Sequence, residues 1–308
     1  MTVTQALQLA VQTLQQMKTE NPFIEAELLL SYVVERSRTQ IYTEPEKKLT
    51  GAEIKKLRYL LWRRLNHEPI QYILKQCEFY GLAFYVDYGV LIPRPETEIL
   101  VDEAIRFSRS LHQHKEQLRI ADVGTGSGVI AICLALALPN AKIYATDIST
   151  SALRIARINC VRHKVDERIE LLQGNLLEPL TQPVDIVVAN LPYVKESEFA
   201  NLAPEITRFE PDIALLGGES GLEKIRQLVK QIPGRLNQDG GFLLEIGEGQ
   251  GETVRSMVRN YFPQATIHLI PDLSGIDRVV RVEMRNKCSV LHPSELTRSR
   301  LQSESRFA

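Results

Sequence analysis

Apolar positions in the first eighty residues recur at helical spacing. Leu7, Ala10, Leu14 and Met17 form one stripe behind Thr4. Asn21-Pro22 then sets an N-cap residue and a proline at N1 ahead of Ala26, Leu29, Leu30 and Val33, predicting a second helix. Thr50-Gly51-Ala52-Glu53 has capping-box spacing and opens a third, apolar at Ile54, Leu57, Leu61 and Leu65 and basic at Lys55, Lys56, Arg58, Arg63 and Arg64. A shorter helix fits residues 69–76. From Phe79 to Ile92 the chain turns aromatic and β-branched, with Gly81 and Gly89 as turn points, which predicts a hairpin linker.

After Leu118 the pattern alternates. Strands fit residues 119–123, 142–146, 169–173, 184–189, 241–247, 264–270 and 278–284, and helices fit 127–138, 150–163, 221–235 and 251–262. Such alternation predicts an α/β fold with a mostly parallel sheet covered on both faces. Val280-Arg281-Val282-Glu283 alternates apolar with polar and suits an antiparallel strand near an edge. Residues 285–308 are rich in Ser and Arg and read as a disordered tail.

Composition narrows the class. Hydrophobic residues at 44% and charged residues at 24% fit an ordinary globular protein. The longest apolar run, residues 129–138, is about half the ~20 residues of a membrane span, and residues 1–14 carry no basic segment ahead of an apolar one. A cytoplasmic chain with no membrane partner is expected. A net charge of −1 predicts no stable association with nucleic acid, although the two ends are mildly basic and the middle acidic. Cys77, Cys133, Cys160 and Cys288 are far apart and read as reduced structural residues. The histidines form no ligand spacing, and His112 and His114 lie in a polar, loop-like stretch, so no metal site is expected.

Two motifs carry chemistry. Asp122-Val-Gly124-Thr125-Gly126-Ser127-Gly128 joins a strand end to a helix start, where glycines let a nucleotide approach the backbone. The spacing is G-x-G-x-G; the third glycine of a dinucleotide G-x-G-x-x-G would fall at Val129, and the lysine of a P-loop is absent. Asp147 closes the next strand, where a carboxylate can accept from both ribose hydroxyls of an adenosine ligand. The bland alternative is a tight turn with a helix-capping Asp. The second motif, Asn190-Leu191-Pro192-Tyr193, follows the apolar strand 184–189. Its Asn oxygen and the Leu191 carbonyl could accept from one planar NH2 group, with Tyr193 offering an aromatic face. Taken alone it is an ordinary strand-ending turn; its place after a G-x-G-x-G loop favours chemistry.

With these motifs the chain resembles class I S-adenosylmethionine-dependent methyltransferases of the amino-methylating group. More narrowly it resembles the PrmC/HemK family of peptide chain release factor glutamine N5-methyltransferases. The resemblance spans about residues 4–284. It rests also on residues 89–98 (Gly-Val-Leu-Ile-Pro-Arg-Pro-Glu-Thr-Glu), of which Pro93 to Glu98 is the most specific part, on residues 209–218 (Phe-Glu-Pro-Asp-Ile-Ala-Leu-Leu-Gly-Gly), on Glu245-Ile-Gly247 and on residues 272–280 (Asp-Leu-Ser-Gly-Ile-Asp-Arg-Val-Val). The resemblance implies a Rossmann-like, seven-stranded, mostly parallel sheet with a small all-α N-terminal domain. The corresponding boundaries are a helical substrate-recognition domain at 1–77, a β-hairpin linker at 78–93, a catalytic domain at 94–284 and the tail at 285–308. It implies S-adenosyl-L-methionine held by Gly124, Thr125, Gly126, Ser127, Gly128, Asp147, Asn175, Leu176 and Asn190. Asn190, Leu191, Pro192 and Tyr193 would bind and activate the glutamine of a Gly-Gly-Gln motif in release factors 1 and 2. Leu191 stands where most members have proline, and Asn175 where they usually have Asp.

Methyl transfer is an in-line displacement, so the protein's main task is alignment, and no general base is required. Hydrogen bonds from the amide NH2 to Asn190 and the Leu191 carbonyl would stabilise charge developing on nitrogen. Glu96 and Glu98 read either as an acidic first helical turn behind Pro95 or as pocket lining, and the basic face of residues 55–64 either as a solvated face or as a docking patch. An alternative function is N6-adenine methylation of RNA or DNA, since N-L-P-Y also occurs in ribosomal RNA adenine dimethyltransferases; the acidic catalytic segment argues against it. A nonenzymatic binding module would not need both motifs intact.

Overall fold

The computed structural model describes residues 1–284 apart from 18, 20 and 113–116. The expected tail at 285–308, with Cys288, and His114 therefore lie outside the described residues. Five helices come first: α1 (Val3–Gln15), α2 (Pro22–Val34), α3 (Arg38–Thr43), α4 (Gly51–Leu65) and α5 (Ile70–Leu74). Their apolar stripes meet in one core that includes Ala10, Leu14, Leu29, Leu30, Leu57 and Leu61. Thr2, not Thr4, caps α1, in a capping box with Gln5. Asn21 stands at the α2 N-cap with Pro22 at N1, but its side chain makes no cap bond. The Thr50–Glu53 box opens α4 as expected. Helix α3 escaped the periodicity because it buries only Ile41; its signal is a second capping box, Ser37 with Gln40.

A short antiparallel hairpin comes next, β1 (Cys77–Phe79) paired with β2 (Leu82–Phe84). It ends at Phe84, well before Ile92, and residues 85–94 run on without regular structure. Tyr72, Val86, Val90 and Ile92 from this region pack with Ala152 and Ile155, which joins the N-terminal helices to the α/β region.

Helix α6 (Thr97–His112) leads into β3 (Arg119–Val123), α7 (Val129–Ala137), β4 (Lys142–Asp147), α8 (Thr150–Arg162), β5 (Ile169–Gln173) and β6 (Val184–Ala189). His112 is thus the last residue of a helix and not part of a loop. Next come β7 (Val194–Lys195), α9 (Glu196–Phe199), α10 (Pro204–Phe209) and β8 (Leu216–Gly218), a region of short elements with no clear period. The chain closes with α11 (Glu223–Gln231), β9 (Leu236–Glu245), α12 (Gly251–Tyr261), β10 (Thr266–Pro271) and β11 (Asp277–Glu283).

Seven strands form one sheet in the order β10-β11-β9-β6-β3-β4-β5. The five from β9 to β5 are parallel, and β11 runs antiparallel to both of its neighbours, β9 and β10. Alternate residues of β6 enter opposite cores: Ile186 and Val188 face the cluster under α6 and α7, whereas Val187 and Ala189 face the one under α11 and α12. Both faces are covered, so β6 is buried along its whole length. The chain leaves β3 in one direction toward β4 and β5 and later returns on the other side to β6. The carboxyl ends of β3 and β6 therefore flank the crevice where open α/β sheets bind ligands. No described helix is long and apolar enough to cross a membrane.

Candidate active site

At that edge the loop after β3 and the loop after β6 touch. Gly124, Gly126 and Gly128 all have positive φ (74°, 55° and 84°), the left-handed region that disfavours side chains. A Cβ at Gly124 would lie 3.1 Å from the Leu191 side chain, so the second motif packs directly on the first. Gly128 is the N-cap of α7 and sits against the backbone of Ala156.

Carboxylates hold the glycine loop. Asp122, in the middle of β3, is fully buried; its Oδ2 accepts from Thr125 Oγ1 (2.6 Å) and from the Ala131 amide (3.1 Å). Burial pushes its pKa up to about 7, with the neighbouring Asp147 charge adding to the rise. Asp147 accepts from the Gly126 amide at 2.9 Å and the Ser149 amide at 2.8 Å, so each oxygen is already oriented by backbone. Burial raises its pKa and these amides oppose the rise. Each carboxylate oxygen keeps a further lone pair for a ligand hydroxyl.

Gly124 to Ser127, Asp147, Asn175, Leu176, Asn190, Leu191 and Pro192 all line one open cleft. Gly128 and Tyr193 do not. Gly128 acts as helix cap, and the Tyr193 ring lies against Gly247, where burial and the Glu245 charge push its hydroxyl up to about 12. Asn175 donates to Glu178 at 2.8 Å, which ties its amide to its own loop. Glu98 is turned toward the hairpin, accepting from the Tyr80 amide at 2.7 Å, and does not line the cleft.

In the second motif Asn190 commits its Nδ2 to Thr97 Oγ1 at 3.0 Å, which leaves Oδ1 as the acceptor available to a ligand. Gln250 fixes the far end of the motif, donating to the Tyr193 carbonyl (3.1 Å) while accepting from the Gly247 amide (2.9 Å). Behind Asn190 lies Glu245, buried and pushed up to about 7. The cleft also takes residues given no role from sequence, among them Thr97, Ser149, Pro211, Ile213 and Lys224. Asp122 and Glu245 did carry a signal: each follows directly on a buried apolar run, Ile120-Ala121 and Phe242-Leu243-Leu244, a placement that costs stability unless it does something.

The buried cysteines take no part. Cys77, Cys133 and Cys160 are free thiols whose pKa values burial raises to about 11, 12 and 11, so they stay protonated and unreactive.

The strand order and a glycine loop and N-L-P-Y turn meeting at its switch point define a class I, Rossmann-like methyltransferase. Comparison with known proteins agrees. Residues 5–74 match the PrmC N-terminal domain, and residues 104–216 match the family model of ribosomal protein L11 methyltransferase (PrmA). A release factor glutamine methyltransferase of Koribacter versatilis is 38% identical over 282 residues, covering 91% of this chain and 98% of that protein. One from Gloeobacter violaceus is 42% identical over 223 residues, 71% of this chain and 77% of that protein. The fold is also that of the hMettl16 catalytic domain, solved in complex with MAT2A 3'UTR hairpin 6 (TM-score 0.52, 16% identity, 68% of this chain and 77% of that one). The chain belongs to the release factor glutamine methyltransferase family.

Proposed function

We propose that this protein transfers a methyl group from S-adenosyl-L-methionine to the side-chain amide nitrogen of the glutamine in the Gly-Gly-Gln motif of peptide chain release factors 1 and 2, in the cytoplasm and without stable nucleic-acid binding. The observation that carries the reading is the contact between the two loops, which brings Asn190 Oδ1 and the glycine loop to one cleft.

The cleft fits the cofactor. Positive-φ glycines allow close approach of a nucleotide-like ligand, Asp147 is aimed by two amides where ribose hydroxyls would meet it, and Ile148, Leu176 and Ile213 give apolar walls for a base. When bound, S-adenosylmethionine supplies an electrophilic methyl group on a sulfonium. The protein's own contribution is to hold the acceptor in line. An amide nitrogen is a poor nucleophile because its lone pair is delocalised into the carbonyl. Asn190 Oδ1 and the Leu191 carbonyl, accepting its two N–H bonds, orient it and stabilise the positive charge that grows on it during transfer, and loss of one N–H proton to water then leaves the neutral N-methyl amide. Leu191 supplies the acceptor through its backbone, so the missing proline leaves the chemistry intact.

Residues 1–77 serve as the substrate-recognition domain, 78–93 as a linker and 94–284 as the catalytic domain. Every cleft residue lies between Gly89 and Lys224, and the N-terminal helices contribute none. A tripeptide as small as Gly-Gly-Gln offers little to read, so specificity must come from a distant contact that raises its effective concentration. Helix α4 offers such a surface, with Tyr59 and Trp62 more than half exposed and their rings stacked at 6.1 Å beside exposed Lys55 and Arg58. Incubating the protein with labelled S-adenosylmethionine and either an intact release factor or RNA tests the reading: label in the protein supports it, and label in RNA favours the adenine alternative.

A further inference from the structure

Asn190 is backed by a buried polar triangle to which the transfer scheme gives no role. Thr97, the first residue of α6, is 2% exposed, and its Oγ1 accepts from Asn190 Nδ2. Glu245, the last residue of β9, is also 2% exposed and receives hydrogen bonds from the side chains of both Thr97 and Asn190. Its Oε2 has no protein partner. Burying a carboxyl with one oxygen unpartnered weakens a fold, so packing alone is a poor reason for it.

The triangle does decide one thing. An asparagine amide can present either its oxygen or its NH2 to a neighbour, two orientations related by a half-turn, and only the surrounding network selects between them. An ionised carboxylate is an acceptor only, so Glu245 takes one N–H of Asn190 and the hydroxyl proton of Thr97. Having donated that proton, Thr97 Oγ1 keeps lone pairs that accept the second N–H. With both N–H bonds directed into the protein, Oδ1 must face the cleft; the flipped amide would set Oδ1 against the carboxylate. A protonated Glu245 still accepts through its carbonyl oxygen, which weakens the preference without inverting it.

We propose that Thr97 and Glu245 are positioning residues that lock the Asn190 amide with its oxygen toward the acceptor nitrogen. The inference rests on the assignment of Asn190 as the acceptor of the substrate NH2. It separates kcat from binding, because a mis-set amide disturbs the reacting geometry while leaving the cofactor loop and the distant docking surface untouched.

The test compares Thr97→Val, Thr97→Ser, Glu245→Gln and Asn190→Ala in the full chain. It measures kcat and KM with an intact release factor and the dissociation constant of S-adenosylmethionine by calorimetry. Thr97→Val keeps the side-chain shape without the hydroxyl and should lower kcat by roughly 10- to 100-fold, the scale on which a small misplacement acts, with KM and cofactor affinity within about threefold. Thr97→Ser should recover most of the loss. Glu245→Gln turns an obligate acceptor into a group that also donates, and should lower kcat several-fold. Loss of activity in Asn190→Ala while Thr97→Val and Glu245→Gln both keep kcat within about threefold would overturn the positioning role and leave the Asn190 assignment standing. Retained turnover in Asn190→Ala overturns that assignment and the inference with it. Should Thr97→Val not fold, Glu245→Gln decides on the same criterion.

Discussion

The two loops that meet at the sheet edge are built alike and supported differently. Each has a buried carboxyl behind it with one oxygen unpartnered, Asp122 under the glycine loop and Glu245 under Asn190, and burial pushes both up to about 7. Asp122 acts locally, bonding to Thr125 and Ala131, three and nine residues on. Glu245 acts at long range, receiving bonds from α6 and from the turn after β6. The glycine loop is thus held by two carboxylates near it in the chain, Asp122 and Asp147. The loop that must place an acceptor amide borrows its support from elements far away in sequence.

The largest predicted effect compares the two carboxyls through pH. Both folded-state pKa values lie above the ordinary ones (3.8 for Asp122, 4.5 for Glu245), so the stability each allows is fully present below its unfolded pKa and is lost as pH rises through about 7. Each group should contribute a decline of roughly 1 kcal/mol per pH unit across that window. Urea unfolding of Asp122→Asn and Glu245→Gln between pH ~5 and ~7 should show a flatter dependence than the parent in each case. A slope unchanged in one variant would break the symmetry between the loops.

Asn190→Ala should next lower methyl transfer by ~10²-fold or more at saturating substrate, while cofactor affinity stays within several-fold. Asp147→Ala should do the reverse. Removing two charge-assisted hydrogen bonds should weaken S-adenosylmethionine binding by about tenfold or more in calorimetry, with a smaller change in kcat once the site is saturated. If both variants lose affinity and turnover in the same proportion, the two loops do not divide the work. The smallest effect falls on α4: Trp62→Ala should slow methylation of an intact release factor several-fold and leave the rate on a short Gly-Gly-Gln peptide nearly unchanged, because that surface acts only through docking.

The same local and long-range distinction explains what could be read from the sequence. Residues 119–123, 169–173 and 184–189 are strands with those very bounds; 184–189 is a buried apolar run, and the edge strand 169–173 is bounded by polar or turn-forming residues on both sides. Gly124, Gly126 and Asp147 were legible because each stands where an apolar strand ends, at β3 or at β4, even though Asp147 and Gly126 bond across 21 residues. Thr97 and Asn190 are 93 residues apart, and no spacing rule connects them. Pro211 and Ile213 reach the cleft from a region of elements two to six residues long, too short to show a period. That region is held from outside: Arg64, buried at the end of α4, bonds to both Glu25 and Glu205, and Arg94 bonds to the buried Glu210. Tyr193 reads as a stacking face in sequence; in the fold its ring lies against Gly247, and Gln250 bonds its carbonyl.

The most direct test is a mass spectrum of a release factor digested after incubation with this protein and S-adenosylmethionine. One added methyl group on the glutamine of the Gly-Gly-Gln peptide, absent when Asn190→Ala replaces the parent, is the predicted result. An unmodified glutamine in the presence of a folded, cofactor-binding enzyme would contradict it.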